Sequence, residues 1–168
     1  AEHQLLVDLA TEDIAQVAEK GTIETPTLFE IGKFSHVMHI ISKVTGKLAA
    51  TVQPIEALAS AFPAGTVSGA PKERALEILN QLEKEPRGIY AGAVCYIDFA
   101  GNIDSCIAIR TVVIENDRAK VQAGAGIVKD SIPEKEYEET KNKAMALLTA
   151  IEAAEVLFGN KEEEREHV

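Results

Sequence analysis

Glu136, Glu139 and Lys143 stand at i, i+3 and i+7, so on a helix they share one face. Two readings stay open for that face. It is a solvated salt-bridge surface, or it is a carboxylate wall with a cation beside it. Carboxylates that leave room for water suit Mg²⁺, a hard cation that also takes a substrate oxygen. Glu2, Asp8, Glu12 and Asp13 are further carboxylates in a helical context. Arg110 lies between Ile109 and Thr111 in an apolar strand-like run, with Ala108 and Val112 on its own face. A cation there needs a partner, either a bidentate carboxylate ligand or a buried structural ion pair. Gln122-Ala123-Gly124-Ala125-Gly126 puts two glycines inside a strand pattern. That marks a bulge, or a backbone open enough for its N–H groups to receive a carboxylate. The spacing is not a dinucleotide fingerprint, because no helix follows directly. His39 alternates with apolar residues, as a structural strand histidine does. Tyr90 opens a strand, where a core ring with its hydroxyl at the rim is the ordinary expectation.

The elements that must position these residues read as α+β. Apolar Leu5, Leu6, Leu9, Ile14 and Val17 give residues 1–20 a helical period that Gly21 breaks. Residues 34–49 alternate as a long strand, with Val37, His39 and Ile41 on one face and His36, Met38 and Ile40 on the other. Pro54 opens a short helix through Phe62. A loop of Gly, Pro and hydroxyls, Phe62 to Lys72, then feeds a helix from about Pro71 to Lys84. Three strand-like runs follow, Ile89–Phe99, Ile103–Glu115 and Ala119–Val128, joined by Ala100-Gly101-Asn102 and Asn116-Asp117-Arg118. Connectors that short imply antiparallel neighbours, so the expectation is an antiparallel meander with packed helices. Strands in a run argue against a doubly wound sheet. Ser131 is the candidate N-cap of a last helix, with Glu134 completing a capping box, and the helix runs to about Leu157. Residues 1–158 are expected to form the folded part and 159–168 a charged, frayed tail.

The chain has 168 residues, a one-domain length. Seventeen Lys and Arg against 27 Asp and Glu give a net charge of −10, which argues against nucleic-acid and anionic-membrane partners. An anionic small substrate would need local cations. No window approaches about 18 apolar residues, so no transmembrane helix is expected. Cys95 and Cys106 form neither a disulfide framework nor a zinc set, and their apolar surroundings predict buried thiols. A reducing, cytoplasmic compartment is the expectation. The chain begins at Ala1 without a leader, which reads as a piece of a longer protein.

Together these segments resemble the chorismate-utilising enzymes. The resemblance rests on Ala1 to Leu9, His36 to Ser42, Phe62 to Leu79, Tyr90 to Val94, Ile107 to Thr111, Gln122 to Val128 and Glu136 to Ala144, in that order. It covers roughly residues 1–152. Pro63-Ala64-Gly65-Thr66-Val67-Ser68-Gly69-Ala70-Pro71-Lys72 is more similar to the anthranilate synthase component I branch than to aminodeoxychorismate synthase. Isochorismate and salicylate synthases, and a non-catalytic remnant, are the other readings. The resemblance implies Mg²⁺ ligation by Glu2, Glu136 and Glu139. It implies carboxylate binding by Tyr90 and Arg110, and substrate reception by the backbone of Gly124, Ala125 and Gly126. His39, Thr66 and Lys143 match further active-site positions.

The implied reaction converts chorismate and ammonia to anthranilate and pyruvate. The implied partner is a glutamine amidotransferase subunit. After Asp8-Leu9 the family has Gly or Ala and then Arg-Asn-Asp. Ala10 and Asp13 fit, whereas Thr11 and Glu12 depart, as do Ala15 and Gln16. The chain resembles only the C-terminal part of the catalytic domain. It is therefore expected to be inactive alone, and open strand edges make pairing with a second copy an expectation too.

Overall fold

The structure, a computed structural model, describes residues 2–33 and 38–158, with the backbone alone at Glu2. Two compact units divide it, residues 1–107 and 108–168.

The first unit opens with α1 (Glu2–Ala15). Its inward side chains are Val7 and Leu9, 8% and 7% exposed, whereas Leu5 is turned outward. A hairpin of β1 (Glu24–Lys33) and β2 (Met38–Thr45) follows, antiparallel from Glu24 opposite Thr45 to Lys33 opposite Met38. The long strand expected over 34–49 is thus β2. Its first residues, His36 and Val37 included, lie outside the described residues. Residues 24–33, which have no clean alternation, supply its partner. The register slips twice along β1, between Glu24 and Thr27 and between Thr27 and Glu30. Pro26 sits in the first slip, where a missing N–H breaks no ladder. Phe29 sits in the second with φ +57°. Its displaced amide donates to Ser42 Oγ at 3.0 Å, so the bulge leaves no orphan donor there.

Next come α2 (Pro54–Ala61), α3 (Gly65–Ser68) and α4 (Lys72–Leu82). Proline leads α2, and Glu56 accepts the Gln53 amide at 2.7 Å. The single turn of α3 lies so close to α1 that a Cβ on Gly65 would meet Leu9 Cδ1 at 2.7 Å. Lys72 at the head of α4 pairs with Asp13 of α1 and also donates to the Ser60 carbonyl at 3.4 Å. Strands β3 (Ala93–Ile97) and β4 (Ile103–Ile107) close the unit as an antiparallel hairpin in continuous register. Asp98 holds its turn. Its carboxylate accepts the amides of Ala100 and Asn102 and the Asn102 side chain, and these bonds hold it below the usual carboxylate range.

The second unit contains β5 (Val112–Glu115), β6 (Arg118–Val121) and α5 (Pro133–Phe158). Asn116 and Asp117, at φ +51° and +58°, make the two-residue turn between the strands. Both central residues are left-handed, the geometry that matches strand twist and that Asn and Asp tolerate. Proline leads α5. Its first amides, from Lys135 and Glu136, point to the Ile132 carbonyl at 2.9 and 3.1 Å.

Four expectations are corrected here. Among the described residues the strands form three separate two-stranded sheets rather than one meander. The run Ile103–Glu115 is interrupted after Ile107, where Arg110 takes a left-handed φ of +53° that no strand ladder accommodates. Ser131 does not cap α5, because its hydroxyl instead accepts the Val128 amide at 3.0 Å. Both thiols are exposed, since β3 and β4 show both faces to solvent.

Burial is sparse. Among the described residues only Val7, Leu9 and Ala91 in the first unit and Ala108 in the second are buried hydrophobics. No described helix is long and apolar enough to cross a membrane.

Candidate functional site

In the second unit the break after β4, the segment after β6 and the first half of α5 bring four expected residues together. Lys143 is the hub. Its ammonium donates to Glu139 Oε1 at 2.5 Å and to the Gly124 carbonyl at 3.0 Å. The Glu139 contact is the i, i+4 pair of a helix face, with Glu139 N-terminal as that pairing prefers. The Lys143 carbonyl in turn accepts Arg110 Nη1 at 3.2 Å. The rest of the Arg110 guanidinium meets no partner among the described residues.

Arg110 is therefore not a buried strand cation. It is exposed in an irregular break, and its planar fork is open to a carboxylate. Gly124, Ala125 and Gly126 are not inside a strand either. β6 ends at Val121, and 122–128 run on without a ladder. That leaves their amides uncommitted to sheet pairing. A Cβ on Gly126 would meet nothing within 4 Å, so its backbone faces open space.

Glu136 lies one turn before Glu139, half-buried where Glu139 is exposed. Lys143 occupies Oε1 of Glu139, which leaves Oε2. Two helix carboxylates one turn apart are the oxygen donors that Mg²⁺ takes while keeping several waters. The donor chemistry fits such a cation as a partial set. Among the described residues no group of three or more His, Cys, Asp or Glu gathers around one point. The Glu2 side chain lies outside the described residues.

In the first unit the expected residues Thr66, Tyr90 and His39 fall on three different elements. Thr66 is exposed on α3, and Tyr90 is half-buried in the turn before β3 rather than at the strand's first residue. His39 is exposed on β2 opposite Gly32.

Arg87 joins two of these, and the sequence reading passed over it. Its guanidinium donates to both Glu83 carboxylate oxygens, at 2.8 and 2.7 Å, and to the Val67 carbonyl at 2.7 Å. It also lies 5.5 Å from the centroid of the Tyr90 ring. The guanidinium holds the Glu83 carboxyl below the usual range, and Glu83 raises Arg87 in return. The run Glu83–Arg87 looks like a charged loop in sequence, and nothing in its spacing names Val67. His3 was also passed over. Its Nε2 lies 2.9 Å from Ser42 Oγ, and its ring meets Phe29 edge-on, tying α1 to the β1 bulge.

Residues 1–149 match the family model described as chorismate binding enzyme. The chain belongs to the chorismate-binding enzymes. Anthranilate synthase component 1 of Bacillus caldotenax is 65% identical over 162 residues, 96% of this chain and 32% of that protein. The counterpart from Bacillus subtilis is 58% identical over 163 residues, 97% of this chain and 32% of that one. The crystal structure of anthranilate synthase component I from Streptococcus pneumoniae superposes with a TM-score of 0.82 at 49% identity, over 85% of this chain and 33% of that chain. This member of the chorismate-binding enzymes thus spans about a third of the length of the relatives it matches, and its α+β architecture is theirs.

Proposed function

We propose that this chain supplies part of the active site of an anthranilate synthase component 1, which turns chorismate and ammonia into anthranilate, pyruvate and water. The observation that carries the reading is the Arg110–Lys143–Glu139–Gly124 cluster, in a sequence 65% identical over 96% of its length to such an enzyme. Chorismate is a dianion, and the chain as a whole carries −10. Binding it therefore calls for a local positive field, which Arg110 and Lys143 provide.

In this reading the open guanidinium fork of Arg110 takes a substrate carboxylate bidentately, and Tyr90 is a carboxylate-binding position of the first unit. The free amides over 124–126 approach the substrate backbone-first, with no side chain at Gly126 to hinder it. Lys143 keeps its ammonium fixed by Glu139 and the Gly124 carbonyl, so one N–H remains for substrate oxygen. His39 and Thr66 are further active-site positions, carried by the first unit. Glu136 and Glu139 would hold Mg²⁺, which when bound supplies a hard Lewis acid for carboxylate oxygen. Ammonia would come from a glutamine amidotransferase subunit. Two exposed free thiols suit a reducing, cytoplasmic setting.

The test is a chimera in which residues 1–149 replace the matching third of the Bacillus caldotenax relative. Supplied with chorismate, ammonium and Mg²⁺, it is expected to release anthranilate, read by its fluorescence. Arg110→Ala is expected to cost at least about a hundredfold in kcat/KM, the scale on which a lost charged anchor acts. The 168-residue chain alone is expected to make none. A folded chimera without anthranilate, or with a different aromatic product, overturns the assignment.

A further inference from the structure

Thr66 and Tyr90 are separated by 24 positions, yet one side chain reaches the structures that carry both. Arg87 spends its guanidinium on three elements at once: the end of α4 through Glu83, the turn of α3 through the Val67 carbonyl, and the Tyr90 ring. A helix of one turn cannot sustain its own direction, because nucleation costs more than one turn returns. Its last carbonyls also lack helical partners. Gly65 packed on Leu9 fixes one side of α3, and the bond from Arg87 to Val67 fixes the other. Tyr90 sits in a turn rather than a strand, so no ladder holds it. Its backbone bond is the 3.2 Å contact to Arg87's own carbonyl. An open cleft of about 770 Å³ runs past Pro63, Leu79, Glu83, Arg87 and Tyr90, so the ring is otherwise poorly supported on that side.

We propose that Arg87 is a positioning residue, which locks the Thr66 turn and the Tyr90 ring into one arrangement for a carboxylate-bearing substrate. The proposal deepens the functional reading above and rests on it. Lysine cannot replace this residue. An ammonium is a point donor with no plane to stack and no fork to span Glu83 while still reaching Val67.

The test uses the chimera. Arg87→Lys is expected to raise KM for chorismate about tenfold and leave KM for ammonium unchanged. On a Thr66→Val/Tyr90→Phe background the same change is expected to cost less than about twofold, because its targets are already disabled. That coupling separates positioning from bulk structure. Equal KM rises for both substrates, or an undiminished tenfold cost on the double background, overturns the proposal. Glu83→Gln serves as the second variant should Arg87→Lys fail to fold. It loosens the same anchor without touching Thr66 or Tyr90, and an unchanged chorismate KM then overturns the proposal. An active chimera with additive costs defeats Arg87 alone. A chimera that forms no anthranilate defeats the functional reading, and Arg87 with it.

Discussion

Lys143 shows what spacing can and cannot say about one residue. Its place on a helix face with Glu139 was legible, since i, i+4 geometry is a property of the helix alone. Its bond to the Gly124 carbonyl was not, because 19 residues of irregular chain intervene. Arg110 stands out in the sequence as a cation among apolar neighbours, yet the structure leaves it exposed. It was placed on the wrong backbone, because nothing in Ile107–Val112 announces a left-handed residue. Arg87 gives a pH prediction at this scale. Glu83 is depressed in the folded state, chiefly by its hydrogen bonds from Arg87. Its contribution is complete above the ordinary glutamate pKa of about 4.3 and is lost as pH falls through the lower folded value. Glu83→Gln is therefore expected to lower the chimera's melting temperature at pH 7, with the gap to wild type closing on acidification below about pH 4. A gap independent of pH would sever the pair from stability.

Among elements, the helices were the most readable. α2 is announced by its leading proline and α5 by Glu134 in its first turn, although Ser131 does not cap it. β1 was not readable, because two register slips destroy the alternation that betrays a strand. The separation into hairpins was hidden for a similar reason, since short connectors imply antiparallel neighbours but say nothing about which hairpins join. The least exposed ion pair among the described residues is Lys72 with Asp13, whose side chains are only 22% and 12% exposed. Removing Asp13 leaves a half-buried ammonium with the distant Ser60 carbonyl. Asp13→Ala is expected to destabilise the chimera by about 1–3 kcal/mol, read as a shift in urea midpoint. Adding Lys72→Met is expected to return part of that loss, because the uncompensated charge goes with it. Asp13 is also the residue that keeps the family pattern where Thr11 and Glu12 leave it. That is intelligible, because Thr11 only bonds back to the Val7 carbonyl within its own helix.

For the molecule as a whole, the pattern of apolar residues promised a larger interior than the chain encloses. Tyr96, Ile97, Ile114, Leu82 and Phe99 are half or more exposed, and among the described residues no large side chain is fully buried. Composition could foretell neither fact, since it counts apolar residues without saying what covers them. The relatives are about three times as long, which accords with so much uncovered surface. Faces of this kind bind one another and bind hydrophobic dyes. The 168-residue chain is expected to enhance anilinonaphthalene sulfonate fluorescence strongly and to sediment as larger species when concentrated. The chimera at equal molarity is expected to do neither. A monodisperse chain that ignores the dye would show the apolar faces to be covered in solution.

The three hairpins also bear on time. Among the described residues the strands pair only as consecutive couples, β1 with β2, β3 with β4 and β5 with β6. Closing such local loops takes on the order of 1–10 μs per hairpin and waits for no distant segment. A ribosome adds residues far more slowly, at roughly 5–20 per second. Each pair can therefore zip and unzip many times before the next emerges. An isolated two-stranded ribbon is only marginally stable in water. During synthesis these pairings are thus rapid rehearsals, reversible until further packing holds them.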